Sequence, residues 1–237
     1  MRKALGRLSQ EYSVFAHIRS LFLSLFPGNF YFRSYSQWGE DSFVSQFIFD
    51  TNWTYIDVGS GHPVHGNDTF FLYNKGCTGI LVDPVKSNAK LSKRFRPRDE
   101  FVEGLVSSNK IQTFFQFSKS SISTGDIKRA TQLRNAGNTL ILESQPEVFS
   151  LSSIFEKLPS SEKRVLLKID VEGLELSVLQ SLDFNRFWPD LILLEELETL
   201  PSEQTILRKF LKAKGYRLII SGYNSHLFQR KILVNDR

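Results

Sequence analysis

The hydrophobic positions of the chain fall into two patterns that alternate along its length. Short, continuous apolar runs predict buried strands, which we place at residues 53–58, 78–83, 101–106, 112–117, 165–169 and 191–194. Apolar residues at three- and four-residue spacing predict helices, which we place at residues 40–50, 67–75, 85–94, 174–182 and 203–214. Continuously apolar strands that alternate with helices form mostly parallel sheets with helices on both faces. We therefore predict an open α/β sandwich.

Two segments depart from this alternation. The last two apolar runs, 216–221 and 226–234, are joined by Gly222-Tyr223-Asn224, a turn suited to a hairpin, and they predict an antiparallel edge of the sheet. The stretch Ser118–Gly137 is polar and rich in serine, with too few apolar residues for a core segment. We interpret it as an insertion or a lid, and we expect it to help form a substrate pocket.

Composition and charge describe one globular domain and limit its partners. The chain has 237 residues, 41% of them hydrophobic, and its lone Cys77 excludes a disulfide scaffold or a multi-cysteine zinc site. The formal net charge is +5, and an excess of about four lies in residues 1–35. We interpret the basic runs at 86–98 and 208–237 as solvated faces, because the aromatic residues occupy core positions instead of alternating with them. We therefore expect no nucleic-acid partner.

Residues 1–34 form a separate basic segment in this prediction. Pro27-Gly28 ends an amphipathic helix whose apolar residues are Val14, Phe15, Ile18, Leu21, Phe22, Leu25 and Phe26. Such a helix either packs on the domain or docks on an anionic membrane or a protein partner, and the sequence leaves both open. No apolar run reaches the roughly 18 residues of a transmembrane helix, and no secretory signal is evident. We expect a cytoplasmic protein whose main domain spans residues 35–237.

Acidic and small residues follow the first two predicted strands. Asp57-Val58-Gly59-Ser60-Gly61 places an acid at a strand end and small residues in the turn, where backbone N–H groups can approach a ligand closely. Asp83 closes the next strand, where a carboxylate accepts hydrogen bonds from the ribose hydroxyls of an adenine nucleoside. A dinucleotide fingerprint would need glycine in place of Val64, which disfavours a nicotinamide-dependent reductase. The pattern favours a nucleoside cofactor without a pyrophosphate, namely S-adenosyl-L-methionine.

Four ordered motifs accompany these strand ends. They are Tyr35-Ser36-Gln37-Trp38-Gly39-Glu40-Asp41, Ile56-Asp57-Val58-Gly59-Ser60-Gly61-His62-Pro63, Asn67-Asp68-Thr69 and Leu167-Lys168-Ile169-Asp170-Val171-Glu172-Gly173-Leu174-Glu175. In this order they resemble the Y-S-Q-x-G-E-D opening, the first cofactor loop, the N-x-T stretch and the K-I-D-V-E-G-x-E signature of FkbM-family methyltransferases. The resemblance extends from about Tyr35 to the final hairpin. It departs at Ser60, where alanine is usual, and at Asp83-Pro84, where Glu-Pro is commoner.

The resemblance implies a fold, a cofactor and a reaction. The fold is the class I methyltransferase fold, a Rossmann-like sandwich, and the cofactor is S-adenosyl-L-methionine. The implied reaction is O-methylation of a hydroxyl, most often on a sugar, so the expected partner is a small-molecule or glycan acceptor. The alternative is a non-catalytic partner-binding module that retains the methyltransferase fold.

The candidate cofactor-binding residues lie at the strand ends and in the helix before the first strand. They are Glu40, Asp57, Gly59, Ser60, Gly61 and Asp83. Glu40, together with Gln37, could reach the methionine end of the cofactor. Alternatively, Glu40 is simply the N-terminal acid of its helix, where a negative charge favours the helix dipole.

The candidate catalytic residues are Asp170, Glu172 and His62. Methyl transfer to a hydroxyl needs a group that orients the oxygen and removes its proton. Asp170 and Glu172 follow a predicted strand and suit this task; alternatively, one of them caps the helix that begins near Gly173. His62 lies in the cofactor loop and is either a base near neutral pH or the partner of a backbone hydrogen bond.

Lys168 and Glu195 have more than one interpretation. Lys168 lies inside a strand, so it either contacts substrate or is buried against a carboxylate such as Glu195. Asp170 and Glu195 could hold a divalent cation, but two carboxylates are a weak metal signal and we assign no metal. We interpret His65 and His226 as surface or packing residues.

Overall fold

A computed structural model describes residues 34–110, 113–158, 163–196, 206–222 and 224–231 of the protein. The amphipathic helix predicted within residues 1–34 therefore lies outside the described residues. The same holds for residues 203–205 of the last predicted helix and 232–234 of the last predicted strand. The division of the chain at residue 35 remains a prediction.

Strands and helices alternate along the described part of the chain. The strands are β1 (Trp53–Val58), β2 (Thr78–Asp83), β3 (Glu100–Glu103), β4 (Leu105–Val106), β5 (Phe114–Phe117), β6 (Leu140–Ser144), β7 (Val148–Phe149), β8 (Arg164–Ile169), β9 (Leu191–Glu195), β10 (Tyr216–Ser221) and β11 (Ser225–Arg230). The α-helices are α1 (Glu40–Ser45), α2 (Phe70–Asn74), α3 (Lys86–Phe95), α4 (Ile127–Asn135), α5 (Leu151–Phe155), α6 (Glu175–Gln180) and α7 (Ile206–Ala213), and a 3₁₀ turn spans Ser120–Ile122. Within the described ranges, no helix has the length and apolar character needed to cross a membrane.

Seven strands form one sheet in the order β10-β11-β9-β8-β1-β2-β3. The strands β3, β2, β1, β8 and β9 pair in parallel, whereas β11 runs antiparallel to both β9 and β10. Every residue of β1 and all but the first residue of β8 are buried, as expected of central strands covered on both faces. These observations confirm the predicted α/β fold, a mostly parallel sheet with an antiparallel C-terminal hairpin.

The chain leaves the main sheet at Gly104. The strand predicted over 101–106 is divided, because β3 ends at Glu103 and, after Gly104, the residues Leu105 and Val106 form β4, which pairs with β7. A Cβ atom on Gly104 would lie 2.7 Å from the carbonyl oxygen of Glu147, so this close approach requires glycine. The prediction of one continuous strand was wrong because an apolar run does not show that its two halves pair with different partners.

The stretch interpreted as an insertion or a lid contains regular structure. Ser118–Gly137 includes the 3₁₀ turn and α4, and the Asp126 side chain caps α4 by accepting a hydrogen bond from the Arg129 N–H at 2.7 Å. A small buried cluster between α4 and β5 consists of Phe115, Phe117, Ala130 and Leu133. The stretch lies outside the main sheet, and few apolar residues suffice for its helix because β5 supplies two phenylalanines.

A buried arginine connects the end of α3 to the loop that follows β1. Arg96 is 1% exposed, and its Nε donates to Asp99 Oδ2 at 2.6 Å. Its Nη1 donates to Asn67 Oδ1 at 2.9 Å, and both Nη atoms lie 3.1 Å from Thr69 Oγ1. Asp99 also accepts a hydrogen bond from the Tyr55 hydroxyl. Because buried charges must be paired, Arg96 is a structural anchor of Asn67 and Thr69.

Replacing Arg96 with methionine tests this anchor. The substitution leaves the Asp99 carboxylate buried without its cation, so we expect the free energy of unfolding to fall by about 3–5 kcal/mol, measured by urea denaturation. Arg94→Met, at an exposed position in the last turn of α3, is the matched control and should change the stability by about 0.5 kcal/mol or less. Equal losses in the two variants would contradict the anchoring role.

Candidate active site

The predicted functional residues gather where β1, β2, β8 and β9 end. In open parallel sheets, the loops at this edge form the ligand crevice. A cleft here, which we call the main cleft, is lined by residues 59–61, Asp83 and residues 170–172. A smaller side cavity, lined by residues that include Glu40 and Glu195, adjoins it. The linings of the main cleft and the side cavity share Gln37, Gly66, Lys168 and Asp170.

Gly59 begins the turn after β1 and packs against the turn after β8. Its φ is +74°, and a Cβ atom there would lie 1.8 Å from the Asp170 carbonyl oxygen. Its N–H and that of Ser60 donate to the Val82 carbonyl at 2.9 and 3.2 Å. Only glycine fits this conformation and this contact, so position 59 determines how closely the two turns approach each other.

Asp57 and Lys168 form a buried ion pair beneath this turn. Lys168 Nζ lies 3.4 Å from Asp57 Oδ1 and donates to the Gly59 carbonyl at 3.0 Å. Asp57 Oδ2 accepts hydrogen bonds from Asn67 Nδ2 at 3.0 Å and from Thr69 Oγ1 at 2.7 Å. Burial alone would lower the pKa of Lys168, but the adjacent Asp57 and other carboxylates raise it overall, so the ammonium group stays charged.

Asp57 is enclosed by the protein. The side chain has no exposed surface and lines neither cavity. In this structure Asp57 supports the turn, and its role in cofactor binding remains a prediction. For Lys168, the structure favours burial against a carboxylate, and the closest described partners are Asp57 and Asp170, not Glu195.

Asp83 lines the main cleft and also holds its walls together. Its Oδ2 accepts a hydrogen bond from the Gly61 N–H at 2.9 Å. Its Oδ1 accepts from the Val85 N–H at 2.8 Å and from Asn88 Nδ2 at 3.0 Å. A carboxylate has about four acceptor positions, so these three bonds leave one at Oδ2 for a ligand hydroxyl. Burial raises the pKa of Asp83, and these hydrogen bonds oppose the rise.

Ser60 brings an unsatisfied hydroxyl to the main cleft. The residue is 3% exposed, and its Oγ has no hydrogen-bond partner among the residues that the structure describes. Leaving a buried hydroxyl unpaired costs about 1–3 kcal/mol. A bound ligand that hydrogen-bonds to Oγ would recover this cost.

Glu40 lies on the side cavity and not on the main cleft. Its Oε2 accepts a hydrogen bond from the Trp38 N–H at 2.8 Å, and its Oε1 lies 3.4 Å from Ser225 Oγ. Gln37 lines both cavities. Of these two residues, Gln37 is therefore the one with access to a ligand in the main cleft.

His62 lines the main cleft, but its hydrogen bonds do not suit a general base. Its Nδ1 accepts from the N–H groups of Val64 at 3.1 Å and His65 at 3.0 Å. In the neutral ring the proton therefore lies on Nε2, which donates and cannot accept a proton. Burial and then His65 lower the pKa of His62, which favours this neutral form. The geometry supports the backbone-bonding alternative for His62.

Three carboxylates at the ends of β8 and β9 face one another. Asp170, Glu172 and Glu195 each offer an oxygen, and these oxygens lie within 4.8 Å of one another. The Asp170 side chain is 36% exposed and lines both cavities, whereas Glu172 lines the main cleft and Glu195 the side cavity. Three oxygen ligands could hold a divalent cation, but acidic groups commonly gather without one, so we assign no metal.

These carboxylates differ in protonation. Burial and the hydrogen bond to Asp170 raise the pKa of Glu195 to about 10. Burial opposes ionisation of Asp170, but Lys168 and the hydrogen bond from Glu195 bring its pKa below the ordinary value. Burial and then Asp170 raise the pKa of Glu172 to about 7, although Arg129 opposes the rise. At neutral pH, Asp170 is therefore charged, Glu195 carries a proton, and Glu172 is near its titration midpoint.

The alternative role of a helix cap is not observed for Asp170 or Glu172. α6 begins at Glu175, and no side chain caps it. The Gly173 N–H donates to Glu175 Oε1 at 2.9 Å. Glu172 itself has a φ of +53°, an uncommon conformation for a residue other than glycine and one that is concentrated at functional sites. Both carboxylates are therefore available for other contacts.

Arg129 is a site residue that sequence analysis did not identify. Its Nη2 donates to Glu172 Oε2 at 3.0 Å, and the Thr124 hydroxyl donates to the Glu172 carbonyl at 2.8 Å. Both residues belong to the polar stretch 118–137, which also lines the main cleft through Ser121 and Ser123. Nothing in the sequence pairs an arginine with a glutamate 43 positions away.

The fold and the cleft together define a class of protein. A parallel sheet with one antiparallel strand next to its edge, and a glycine turn with acidic side chains where the central strands end, define a class I, Rossmann-like methyltransferase. The family model described as "Methyltransferase FkbM domain" matches residues 57–218, and the chain belongs to this family.

Other comparisons are more distant. One solved structure, a TehB-like SAM-dependent methyltransferase from Corynebacterium glutamicum, is 12% identical, with a TM-score of 0.40 over 98% of this chain and 100% of that chain. No curated protein matches the chain.

The raised pKa of Glu195 makes the stability depend on pH. The folded state keeps this proton, whereas the unfolded state loses it near pH 4.5. The contribution of Glu195 to the free energy of unfolding is therefore fully present below about pH 4.5 and is lost as the pH rises towards 10. Glu195→Gln keeps a hydrogen-bond donor to Asp170 and removes this titration. We expect the free energy of unfolding of the variant, relative to that of the wild type, to rise by about 1.4 kcal/mol per pH unit, which is about 3 kcal/mol from pH 6 to pH 8, measured by urea denaturation. Glu156→Gln, at an exposed position, should show the pH dependence of the wild type. If Glu195→Gln shows that same dependence, Glu195 does not hold a proton at neutral pH.

Proposed function

We propose that the protein is an S-adenosyl-L-methionine-dependent O-methyltransferase that acts on a hydroxyl of a carbohydrate or a glycosylated metabolite. The observation that carries this proposal is the position of Asp170. Its charged side chain lines both the main cleft and the side cavity, so a hydroxyl held in the side cavity has a carboxylate between it and the main cleft. The membership in the FkbM methyltransferase family supports the reaction class.

The main cleft fits the cofactor in its polar groups. Ser60 supplies an unsatisfied buried hydroxyl, and Asp83 has an acceptor position left at Oδ2 for a ribose hydroxyl. Gly59 and Gly61 keep the turn free of side chains where the methionine part would lie. When bound, S-adenosyl-L-methionine supplies a methyl group on a sulfonium cation, and the charged Asp170 favours a cation in this place.

The carboxylates that lie where the main cleft meets the side cavity orient the acceptor hydroxyl and take up its proton. Asp170 is charged and partly exposed, so it can accept a hydrogen bond from the hydroxyl and orient its oxygen. Glu195 donates a hydrogen bond to Asp170 and keeps that carboxylate in position. Glu172, with its pKa of about 7, is the group best matched to take up a proton near neutral pH. We assign orientation to Asp170 and proton uptake to Asp170 and Glu172.

Binding of S-adenosylhomocysteine tests the cofactor assignment. We expect the wild type to bind it in isothermal titration calorimetry, and Ser60→Ala to weaken binding about 3–10-fold through loss of one hydrogen bond. Ser92→Ala is a matched control, because Ser92 also has a buried hydroxyl without a described partner but does not line the main cleft. Both substitutions should leave the free protein equally or more stable. A wild type that does not bind, or equal weakening by both variants, would overturn the assignment.

Methyl transfer tests the role of Asp170. With S-adenosyl-L-methionine carrying a tritiated methyl group and a panel of methyl pyranosides as acceptors, we expect Asp170→Asn to lower label incorporation about 100-fold or more, because general-base catalysis typically contributes that much. Its affinity for S-adenosylhomocysteine should change less than the rate. Asp50→Asn, an exposed position at the other end of the sheet, should match the wild type. Label transfer that survives in Asp170→Asn would exclude this role, and a wild type that binds the cofactor but methylates none of the panel would favour the non-catalytic alternative.

A further inference from the structure

Arg129 is bound to the acidic site although it lies outside both cavities. Its Nη2 donates to Glu172 Oε2 at 3.0 Å, but Arg129 belongs to the lining of neither the main cleft nor the side cavity. Glu172 itself is buried and lines the main cleft. Any effect of Arg129 on a ligand in these cavities therefore acts through Glu172.

The start of α4 holds Arg129 in this place. The Arg129 N–H donates to Asp126 Oδ1 at 2.7 Å, which caps the helix. The turn after β8 packs on this cap, since a Cβ atom on Gly173 would lie 3.5 Å from the Cβ of Asp126 and 3.8 Å from that of Arg129. The Thr124 hydroxyl donates to the Glu172 carbonyl at 2.8 Å. One short stretch of chain thus holds both the backbone and the carboxylate of Glu172.

The Glu172 carboxylate has one oxygen bound and one available. Arg129 binds Oε2, and no residue that the structure describes donates a hydrogen bond to Oε1. One oxygen of Glu172 lies within 4.8 Å of an oxygen of Asp170, the carboxylate that orients the acceptor hydroxyl in the proposed mechanism. Oε1 is therefore an open acceptor beside the proposed reaction centre.

We infer that Arg129 is a positioning residue, which holds Oε2 of Glu172 and leaves Oε1 to receive the proton that the acceptor hydroxyl loses. This inference rests on the proposed function. As the hydroxyl oxygen bonds to the methyl carbon, the bond between that carbon and sulfur breaks, and the hydroxyl proton ends on Oε1. Glu172 then returns this proton to solvent through the main cleft.

The charged and titratable groups near Glu172 come from four elements and their turns. They are Arg129 on α4, Lys168 on β8, Asp170 after β8, Glu175 on α6 and Glu195 on β9. Burial, Asp170 and Glu175 raise the pKa of Glu172, whereas the hydrogen bond and the charge of Arg129 lower it. Lys168 is paired with Asp57 and Asp170. Without Arg129, Glu172 would keep a proton above neutral pH and could not accept another.

The alternative role of this ion pair is to tie α4 to the turn after β8. A contact that is only structural would change the stability of the protein and leave the pH dependence of methyl transfer as it is. A contact that prepares Glu172 for proton uptake would change that pH dependence, and its effect would disappear once Glu172 is replaced. The two roles therefore differ in what they predict for the same substitution.

Titration of Glu172 tests the contact without relying on activity. In the full chain labelled with ¹³C at the glutamate carboxyl carbons, the signal that is missing from Glu172→Gln identifies Glu172. We expect its pKa to be about 7 in the wild type, about 1–2 units higher in Arg129→Gln, and intermediate in Arg129→Lys, which keeps a cation. Arg134→Gln is the matched control, because Arg134 also lies on α4 and pairs with the exposed Glu143; it should leave the pKa of Glu172 unchanged.

Methyl transfer to an accepted pyranoside, measured at pH 7 and pH 9, tests the consequence. We expect label incorporation by Arg129→Gln to fall about 5–50-fold at pH 7, because the charged fraction of Glu172 falls by that factor, and to lie within about twofold of the wild type at pH 9. Glu172→Gln should be slower at both pH values, and adding Arg129→Gln to it should cause no further loss. Arg134→Gln should match the wild type throughout. A cooperative urea transition shows that each variant is folded.

The outcomes separate this inference from the proposed function. The positioning role is excluded, and the proposed function survives, if Arg129→Gln leaves the pKa of Glu172 at its wild-type value or lowers methyl transfer by the same factor at pH 7 and pH 9. If Glu172→Gln transfers label as the wild type does, the inference is likewise wrong and Asp170 alone takes up the proton. If the wild type methylates no pyranoside, the proposed function fails and this inference fails with it.

Discussion

The buried ion pair between Asp57 and Lys168 is the interaction on which this end of the sheet depends. The two residues are register partners on the adjacent central strands β1 and β8, so their side chains project on the same side of the sheet. They are 0% and 3% exposed, and taking such charges out of water costs several kcal/mol for each ion. The pair is tolerated because it is embedded in hydrogen bonds: Asn67 and Thr69 donate to Asp57, and the Gly59 carbonyl accepts from Lys168.

The same pair determines the electrostatics of the cleft above it. Lys168 Nζ lies 3.4 Å from both Asp57 and Asp170, so one ammonium group is shared between two carboxylates. That single positive charge keeps Asp170 ionised. It also lowers the pKa of Glu195, but burial and the contact with Asp170 outweigh it, and Glu195 retains its proton. The cleft is therefore acidic without holding several adjacent bare charges. Such an environment favours a cationic ligand and provides a carboxylate that can orient a hydroxyl.

The fold could be predicted from the sequence because parallel strands buried on both faces leave continuous apolar runs. The runs at 53–58 and 78–83 coincide with β1 and β2, and the acids and glycines that follow them do lie at one edge of the sheet. What the pattern does not contain is side-chain direction. Asp57 lies at a strand end, as Asp83 does, but its side chain points into the protein interior. The role of His62 depends on two backbone N–H groups that reach its Nδ1 only in the folded loop. Residues 101–106 are divided between two sheets because of a contact with Glu147, which is distant in the chain.

The polar stretch 118–137 shows why part of the site could not be predicted at all. Ala130 and Leu133 of this stretch pack on the phenylalanines of β5. A mostly polar segment can therefore fold, and its composition did not by itself indicate an irregular loop. Its polar residues then become available to the site: Thr124 holds the backbone of Glu172, and Arg129 holds its carboxylate. Without Arg129, burial and the charge of Asp170 would act on Glu172 unopposed and raise its pKa further above neutrality. In the proposed mechanism the stretch therefore helps to keep Glu172 in the range where it can exchange a proton at neutral pH.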